Sequence, residues 1–422
     1  MTDDTDTRIA RALDLAGVAG DSSADDLRRA RVQRLADELA AAAADGRPLD
    51  LAALAEAERA LAEVVRDDDG DRNDATHRLR ERLRTAGDWL EQQPDRMRCI
   101  LRQRGATIRD HGVPVMPRGI AGILAASGGT GKTMAALELA ILIAAGGTEA
   151  HGLYWLGCFH VAAGRVLYVN GEDSPGSMHR RIYNAAERLW PRGEARTDDA
   201  HRYLDAAARN LHVAPLAGTM GMALVEHDDT GAPRPSAMAH ALSERLDLDP
   251  DGEGWTLVVL DPLARFAGGD AETDNAAATV VVQAAELLTE APGNPAVLLT
   301  HHTRKGGSGE ADAIRGASAL HDGVRWAMTL HRQDRVEGCP IELVTLRHVK
   351  SNETPTAPPH TLTRQEGGGL RLATDDETDS YSAAQAAAER ERIAERTANQ
   401  TAGRKAGKAR AERDLPPRPD LD

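Results

Sequence analysis

The sequence predicts an α/β protein with a mostly parallel central sheet, preceded by an all-α domain and followed by a charged, partly helical or disordered tail. Three observations predict it. From about Cys99 to Leu372, short β-branched runs alternate with helical stretches, the pattern of a parallel sheet with helices on its faces. The apolar run Ile120–Ala125 passes through a Gly-rich loop straight into the apolar helix Met134–Ala145. Before Gln93, apolar residues recur at three- and four-residue spacing, as on one face of a helix. The expected domains are therefore 1–98, 99–372 and 373–422.

The first domain reads as helices at Asp21–Ala44, Leu49–Arg66 and Ala75–Gln92, with Ser23 and Asp26 marking a start and the acidic run Asp67–Asp71 a break. It suits partner docking or oligomerisation, and equally a small appendage with solvated charged faces. Candidate strands follow at Ile120–Ala125, Arg165–Asn170, Thr256–Leu260, Ala296–Thr300, Trp326–Leu330 and Glu342–His348. Polar or Gly-rich residues come after each of the first four, and the carboxyl ends of strands in an open parallel sheet are where ligands sit. The tail opens with acidic and small residues at Asp375, forms a helix at Ser382–Arg396 and ends in a Pro-rich terminus. From Glu389 to Arg413 it holds eight basic and four acidic residues. It can touch a nucleic-acid backbone, although its composition favours a short solvated tail.

Charge excludes a generally cationic nucleic-acid coat, because 51 Lys and Arg face 66 Asp and Glu. Residues 1–98 carry 16 basic and 23 acidic groups, residues 99–360 carry 24 and 31, and residues 361–422 carry 11 and 12. With no strongly basic segment, any nucleic-acid contact must come from a local patch or a ring of loops. Aromatics make up 3% of the chain, so few stacking platforms exist for single strands. Cys99, Cys158 and Cys339 are too far apart for a zinc knuckle or a disulfide framework and suit a reducing cytosol. The N-terminus is acidic where a secretory signal needs positive charge. The longest apolar run, Met134–Ala145, is too short to span a bilayer. These features point to a soluble cytoplasmic protein without a membrane partner.

Ser127-Gly128-Gly129-Thr130-Gly131-Lys132-Thr133 is the strongest motif. Backbone N–H groups of such a loop, with the helix N-terminus behind them, wrap a pyrophosphate; Lys132 would reach the β- and γ-phosphates of ATP, and the Thr133 hydroxyl would hold Mg²⁺. Ala126 stands where the general pattern has its first Gly, which is tolerable if that position does not need positive φ. Asp261 ends the buried run Leu257–Leu260, and a carboxylate at that edge suits Mg²⁺ positioning. Glu172 and Asp173 follow the strand Arg165–Asn170, where either could polarise an attacking water. His301 and His302 end another strand; a polar group there can sense a γ-phosphate, whereas metal binding would need Cys or carboxylate neighbours at ligand spacing. The loop from Thr303 to Ala313 starts with Arg304 and Lys305, and cations on a mobile Gly-rich loop suit phosphate-backbone contact as well as plain solvent exposure.

In this order the motifs resemble the RepA-like hexameric helicase ATPases, a branch of the RecA superfamily found in plasmid and mobile-element replication. The resemblance covers about Val113 to Asn352. It rests on Ser127–Thr133, Asn170-Gly-Glu172-Asp173 with Arg181-Ile182, Leu260–Phe266, His301–Lys305, Ile314–Ser318 and Val324-Arg325-Trp326. It implies a RecA-like P-loop core, with Glu172 as catalytic base, Asp261 as Mg²⁺-positioning acid and His302 coupling nucleotide state to DNA. It also implies Arg325 as an arginine finger inserted into the neighbouring subunit's site, with Arg315 and Lys350 as further cations at that interface. The expected function is a hexameric, ATP-driven helicase acting on single-stranded DNA. A regulatory or assembly ATPase without unwinding activity is the second reading, which the acidic balance and the unmatched N-terminal domain favour. A strand-exchange filament is the third.

Overall fold

The computed structural model describes residues 83, 86, 97–105, 113–192, 198–248, 252–268, 274–303 and 318–413. Nearly all of the expected N-terminal helices, and the loop carrying Arg304, Lys305 and Arg315, lie outside them. The chain divides into two compact units: Met1–Arg96 with His227–Pro233, and Met97–Glu226 with Arg234–Asp422. The large sheet belongs to the second.

In chain order the first elements are β1 (Cys99–Gln103), β2 (Val113–Pro117), β3 (Ala121–Ala126), α1 (Lys132–Ala144), α2 (Gly147–His151), β4 (Phe159–Val161) and β5 (Arg165–Asn170). Then come α3 (Pro175–Leu189), α4 (Asp198–Asn210), β6 (Leu211–Pro215), β7 (Val225–His227), β8 (Pro233–Pro235), α5 (Ala237–Asp247) and β9 (Trp255–Asp261). They continue through α6 (Leu263–Phe266), α7 (Asn275–Thr289), β10 (Ala296–His302), α8 (Ser318–Gly323), β11 (Trp326–Arg332) and β12 (Leu343–Ser351). The last are β13 (His360–Arg364), β14 (Leu370–Leu372) and α9 (Asp375–Arg413).

Nine strands form the central sheet in the order β14-β13-β12-β11-β3-β10-β9-β5-β6. The six from β11 to β6 run parallel, and β12, β13 and β14 add an antiparallel flank. Every residue of β3, β5 and β9 is buried. Burial on both faces is why these strands read as near-continuous apolar runs. One face packs against α1, α3 and α4, the other against α5 and α7. This is a doubly covered, mostly parallel α/β sheet with an antiparallel flank.

Helix α1 is buried along its whole length except at Thr133. A carboxylate on so buried a helix needs a partner, and Glu138 has one in Arg188 of α3, whose Nε donates at 2.9 Å. The helix starts two residues before the expected Met134, β10 runs on to His302 and β12 to Ser351. Strands β1, β2, β4, β6, β7, β8, β13 and β14 have no counterpart among the expected strands, because segments of three to five residues carry no long apolar run. β6 is half-buried throughout. Helix α9 is longer than the expected Ser382–Arg396 and seats Tyr381 against Val336 and Leu343. Among the described residues, no helix is long and apolar enough to cross a membrane. Cys99, Cys158 and Cys339 are all free.

β3 and β11 approach closely at Gly122. A Cβ at Gly122 would lie 2.7 Å from Cε3 of Trp326 and 3.1 Å from its carbonyl oxygen, so only glycine fits. Gly122→Ala should therefore destabilise the fold by about 1–3 kcal/mol, the usual scale of an overpacked core. A lower denaturant midpoint would register this; an unchanged midpoint would mean that the indole does not pack there.

Candidate functional site

β3 hands the chain to the P-loop at Ala126, which pairs with His302 and Leu330 and whose carbonyl accepts the Thr303 N–H at 3.0 Å. Among the described non-glycine residues only Leu156 and Asn294 have positive φ, so the Ala126 methyl sits in ordinary strand backbone. The turn uses positive φ at Gly129 (75°) and Gly131 (113°). At Gly131 space is short as well: a Cβ there would lie 2.8 Å from the Gly368 carbonyl oxygen. The Ser127 and Thr130 hydroxyls are 2.9 Å apart across the loop. No side chain caps α1 and no acid lies in its first turn, so its leading amides and positive dipole end face the loop without a resident anion.

Lys132 begins the helix, is 5% exposed, and its Nζ has no hydrogen-bond partner among the described residues. Burial pulls its pKa below the ordinary value, while Asp261 and Glu172 pull it back up. An ammonium buried among carboxylates but bonded to nothing is suited to an incoming polyphosphate.

Asp261, at the end of β9, is 1% exposed. Its Oδ1 accepts from Thr133 Oγ1 at 3.4 Å and from the Thr300 hydroxyl; its Oδ2 accepts from the Tyr168 hydroxyl at 2.7 Å and Asn170 Nδ2 at 3.4 Å. Burial, and then this carboxylate, raise the Tyr168 pKa well above its usual value, so the phenol stays a donor. Tyr168, Asn170 and Thr300 had no role in the sequence reading. The residue types alone do not reveal it; their common position at or near the carboxyl ends of neighbouring strands could have. The donor set of Thr133 and Asp261 fits Mg²⁺, which prefers oxygen ligands. Among the described residues, no group of three or more His, Cys, Asp or Glu is placed to hold a metal.

After β5 the two acidic residues diverge. The Asn170 side-chain oxygen accepts the N–H groups of Glu172 at 3.0 Å and Asp173 at 2.6 Å, turning the chain toward α3. Asp173 is then bound by Arg181 Nε at 2.9 Å. Glu172 is half-exposed, 3.8 Å from Arg265 Nε, and close enough to Lys132 to raise its pKa. Arg265 is thus a second cation at this edge, and the sequence reading gave it no role.

Of the two histidines, His301 is buried, its Nδ1 has no partner among the described residues, and burial followed by Lys132 and His302 pushes its pKa down to about 4. It is a neutral imidazole at neutral pH. His302 is exposed at the nucleotide edge, in register with Ala126. Arg325 and Lys350 sit at the opposite end of the sheet. Arg325 N–H donates to the Ala121 carbonyl at 3.1 Å, and its side chain is exposed, with no ion pair among the described residues. Arg304, Lys305 and Arg315 lie outside the described residues.

Lys132→Met should leave the nucleotide-free fold as stable as before, since it removes a buried charge that satisfies no partner. It should also abolish stabilisation by Mg·ATP, which scales with the logarithm of ligand concentration over Kd. Thermal melts with and without Mg·ATP read both effects; a nucleotide-dependent rise in Tm surviving in the variant would remove Lys132 from the site.

Residues 101–308 match the AAA domain family. Among solved structures, an ATPase domain of another protein is similar at 13% sequence identity and a TM-score of 0.40, covering 61% of this chain and 86% of that one. A likeness at that level carries no argument about activity. The family match coincides with the strand, P-loop, helix and Asp261 edge, so residues 101–308 form a P-loop domain similar to the AAA domain family.

Proposed function

We propose that this chain is a ring-forming, ATP-driven DNA helicase that hydrolyses Mg·ATP between subunits and moves along single-stranded DNA, as in replication of a plasmid or mobile element. The observation that carries this reading is the separation of Arg325 from its own P-loop. Arg325 is bonded to Ala121 at one end of β3, and the P-loop leaves Ala126 at the other. Five strand residues span about 17 Å. An exposed guanidinium that far away serves no phosphate of its own subunit, yet is free to serve a neighbour's.

Within one subunit, the amides of Ser127 to Thr133 and the Lys132 ammonium bind the triphosphate, and Thr133 with Asp261 hold Mg²⁺. The bound ion supplies positive charge at the β- and γ-phosphate oxygens. Glu172 takes the proton of the attacking water. Its carboxylate is half-exposed at the phosphate edge, whereas Asp173 is held by Arg181, and this contrast supports Glu172 as the base. His302, at the end of β10 beside Ala126, is suited to sense the γ-phosphate and pass its state to the loop with Arg304 and Lys305, which contact DNA. Arg325 of the adjacent subunit neutralises charge developing at the γ-phosphate, with Arg315 and Lys350 as further cations of that interface, and residues 1–98 serve a protein partner. The net charge of −15 favours a second reading, an ATPase switch that assembles without unwinding DNA. Stimulation of ATP turnover by single-stranded oligonucleotides separates the two.

Glu172→Gln should keep Mg·ATP binding and lose about 10²-fold or more in turnover, the scale of a general base. If Asp173→Asn abolishes turnover while Glu172→Gln does not, the base is the neighbouring residue.

Arg325→Ala should assemble and bind ATP, yet turn it over about 10³-fold more slowly. Mixing it with Lys132→Ala subunits should restore part of the activity, because intact P-loops then meet intact fingers across some interfaces. Mixed rings as inactive as their parents would overturn the role of Arg325 between subunits.

A further inference from the structure

Lys350 brings a second cation to the Arg325 end of the sheet, but its ammonium is already engaged within the chain. Nζ donates to the carbonyls of His321 at 2.6 Å and Asp322 at 2.8 Å, in the last turn of α8. Carbonyls at a helix C-terminus lack intrahelical donors and carry partial negative charge, so a lysine there both bonds them and complements the dipole. At the other end of α8, Ala319 N–H donates to Asn275 Oδ1 of α7 at 3.3 Å. Leu320 and Val324 are buried in the core beneath. Helix α8 is therefore held at its first turn by α7 and at its last by Lys350.

Arg325 follows directly. Its N–H bonds Ala121 of β3, and its carbonyl accepts from Asn352 N–H at 3.1 Å, just past β12. Lys350 faces Ala327 across the β11–β12 ladder, close in the chain pairing to the guanidinium it accompanies. Once α8 ends, the link to Arg325 is too short to absorb movement of the helix end.

We propose that Lys350 is a positioning residue: by bonding the last carbonyls of α8 it fixes the point from which Arg325 projects, and it does not itself reach a neighbouring subunit's nucleotide. The proposal rests on the reading of Arg325 as the cation shared between subunits. With the two carbonyls released to water, the end of α8 frays, and Arg325 keeps only its backbone bonds to Ala121 and Asn352 without the helix end that fixes its approach. Misplacement by about 1 Å at a charge-stabilising group is enough to cost up to about 10²-fold in rate.

A double-mutant cycle on the full-length chain tests this. Lys350→Met keeps the apolar stem and removes the donors, whereas Lys350→Arg keeps charge and donors. Lys350→Met should lose about tenfold in kcat with unchanged ATP affinity, and Lys350→Arg should recover most of it. The double variant Arg325→Ala/Lys350→Met should turn over no more slowly than Arg325→Ala alone, because nothing remains to be positioned. Amides of Leu320 to Val324 should exchange hydrogen faster in Lys350→Met without nucleotide. Losses that multiply in the double variant would make Lys350 an independent cation at the nucleotide and overturn the proposal alone. Full turnover in Lys350→Met would also overturn it, leaving a plain helix cap. Full turnover in Arg325→Ala would sink the reading of Arg325 and this proposal together.

Discussion

A carboxylate sealed from water is costly unless it is bonded on every side, and Asp261 is that carboxylate. Leaving such a charge unpaired costs several kcal/mol, while hydrogen bonds to charged groups return about 1.5–3 kcal/mol each. Its donors come from three elements besides its own strand: Thr133 from α1, Tyr168 and Asn170 from β5, and Thr300 from β10. These bonds fix the heights of β5, β9 and β10 against one another and hold the first turn of α1 over them. Lys132 stands in the same field, its charge favoured by Asp261 and disfavoured by its own burial. The nucleotide edge is thus rigid because one buried charge requires it to be.

The parallel sheet separates the two ends of the chemistry. Strand carboxyl ends gather the P-loop, Asp261, Glu172 and His302, while the amino end of β11 holds Arg325 and the far end of β12 holds Lys350. The antiparallel turn from β11 to β12 makes this possible, because it brings Lys350 back to the end from which Arg325 started. Close packing of Trp326 over Gly122 leaves little freedom for β11 to slide along β3.

Much of this was legible in the residues. Parallel strands buried on both faces must be almost wholly apolar, so β3, β5, β9 and β10 stood out, and a Gly-rich loop between strand and helix identified the phosphate edge. Even Ala126 posed a question that its strand backbone answers. Edge strands such as β6 and β14 left no such trace, because half-exposed segments of three to five residues have mixed composition. The roles of Tyr168, Asn170, Thr300 and Arg265 are hidden in the sequence for another reason. Their importance lies in which strands are neighbours, and the order β10-β9-β5 is not written in the chain. The ion pair that sets Asp173 apart from Glu172 likewise comes from a partner, Arg181, one helix away.

The closeness of Gly131 to Gly368 and Leu370 has a consequence for how the protein comes into being. The turn of the P-loop is backed by the segment between β13 and β14, which leaves the ribosome long after Ser127 to Thr133 has emerged. Contacts of such sequence separation form late, since the intervening chain must first be ordered. A nascent chain therefore carries its phosphate motif for most of its synthesis without the wall that shapes it. A product truncated before Gly368 therefore carries the motif without the segment that lies against its turn.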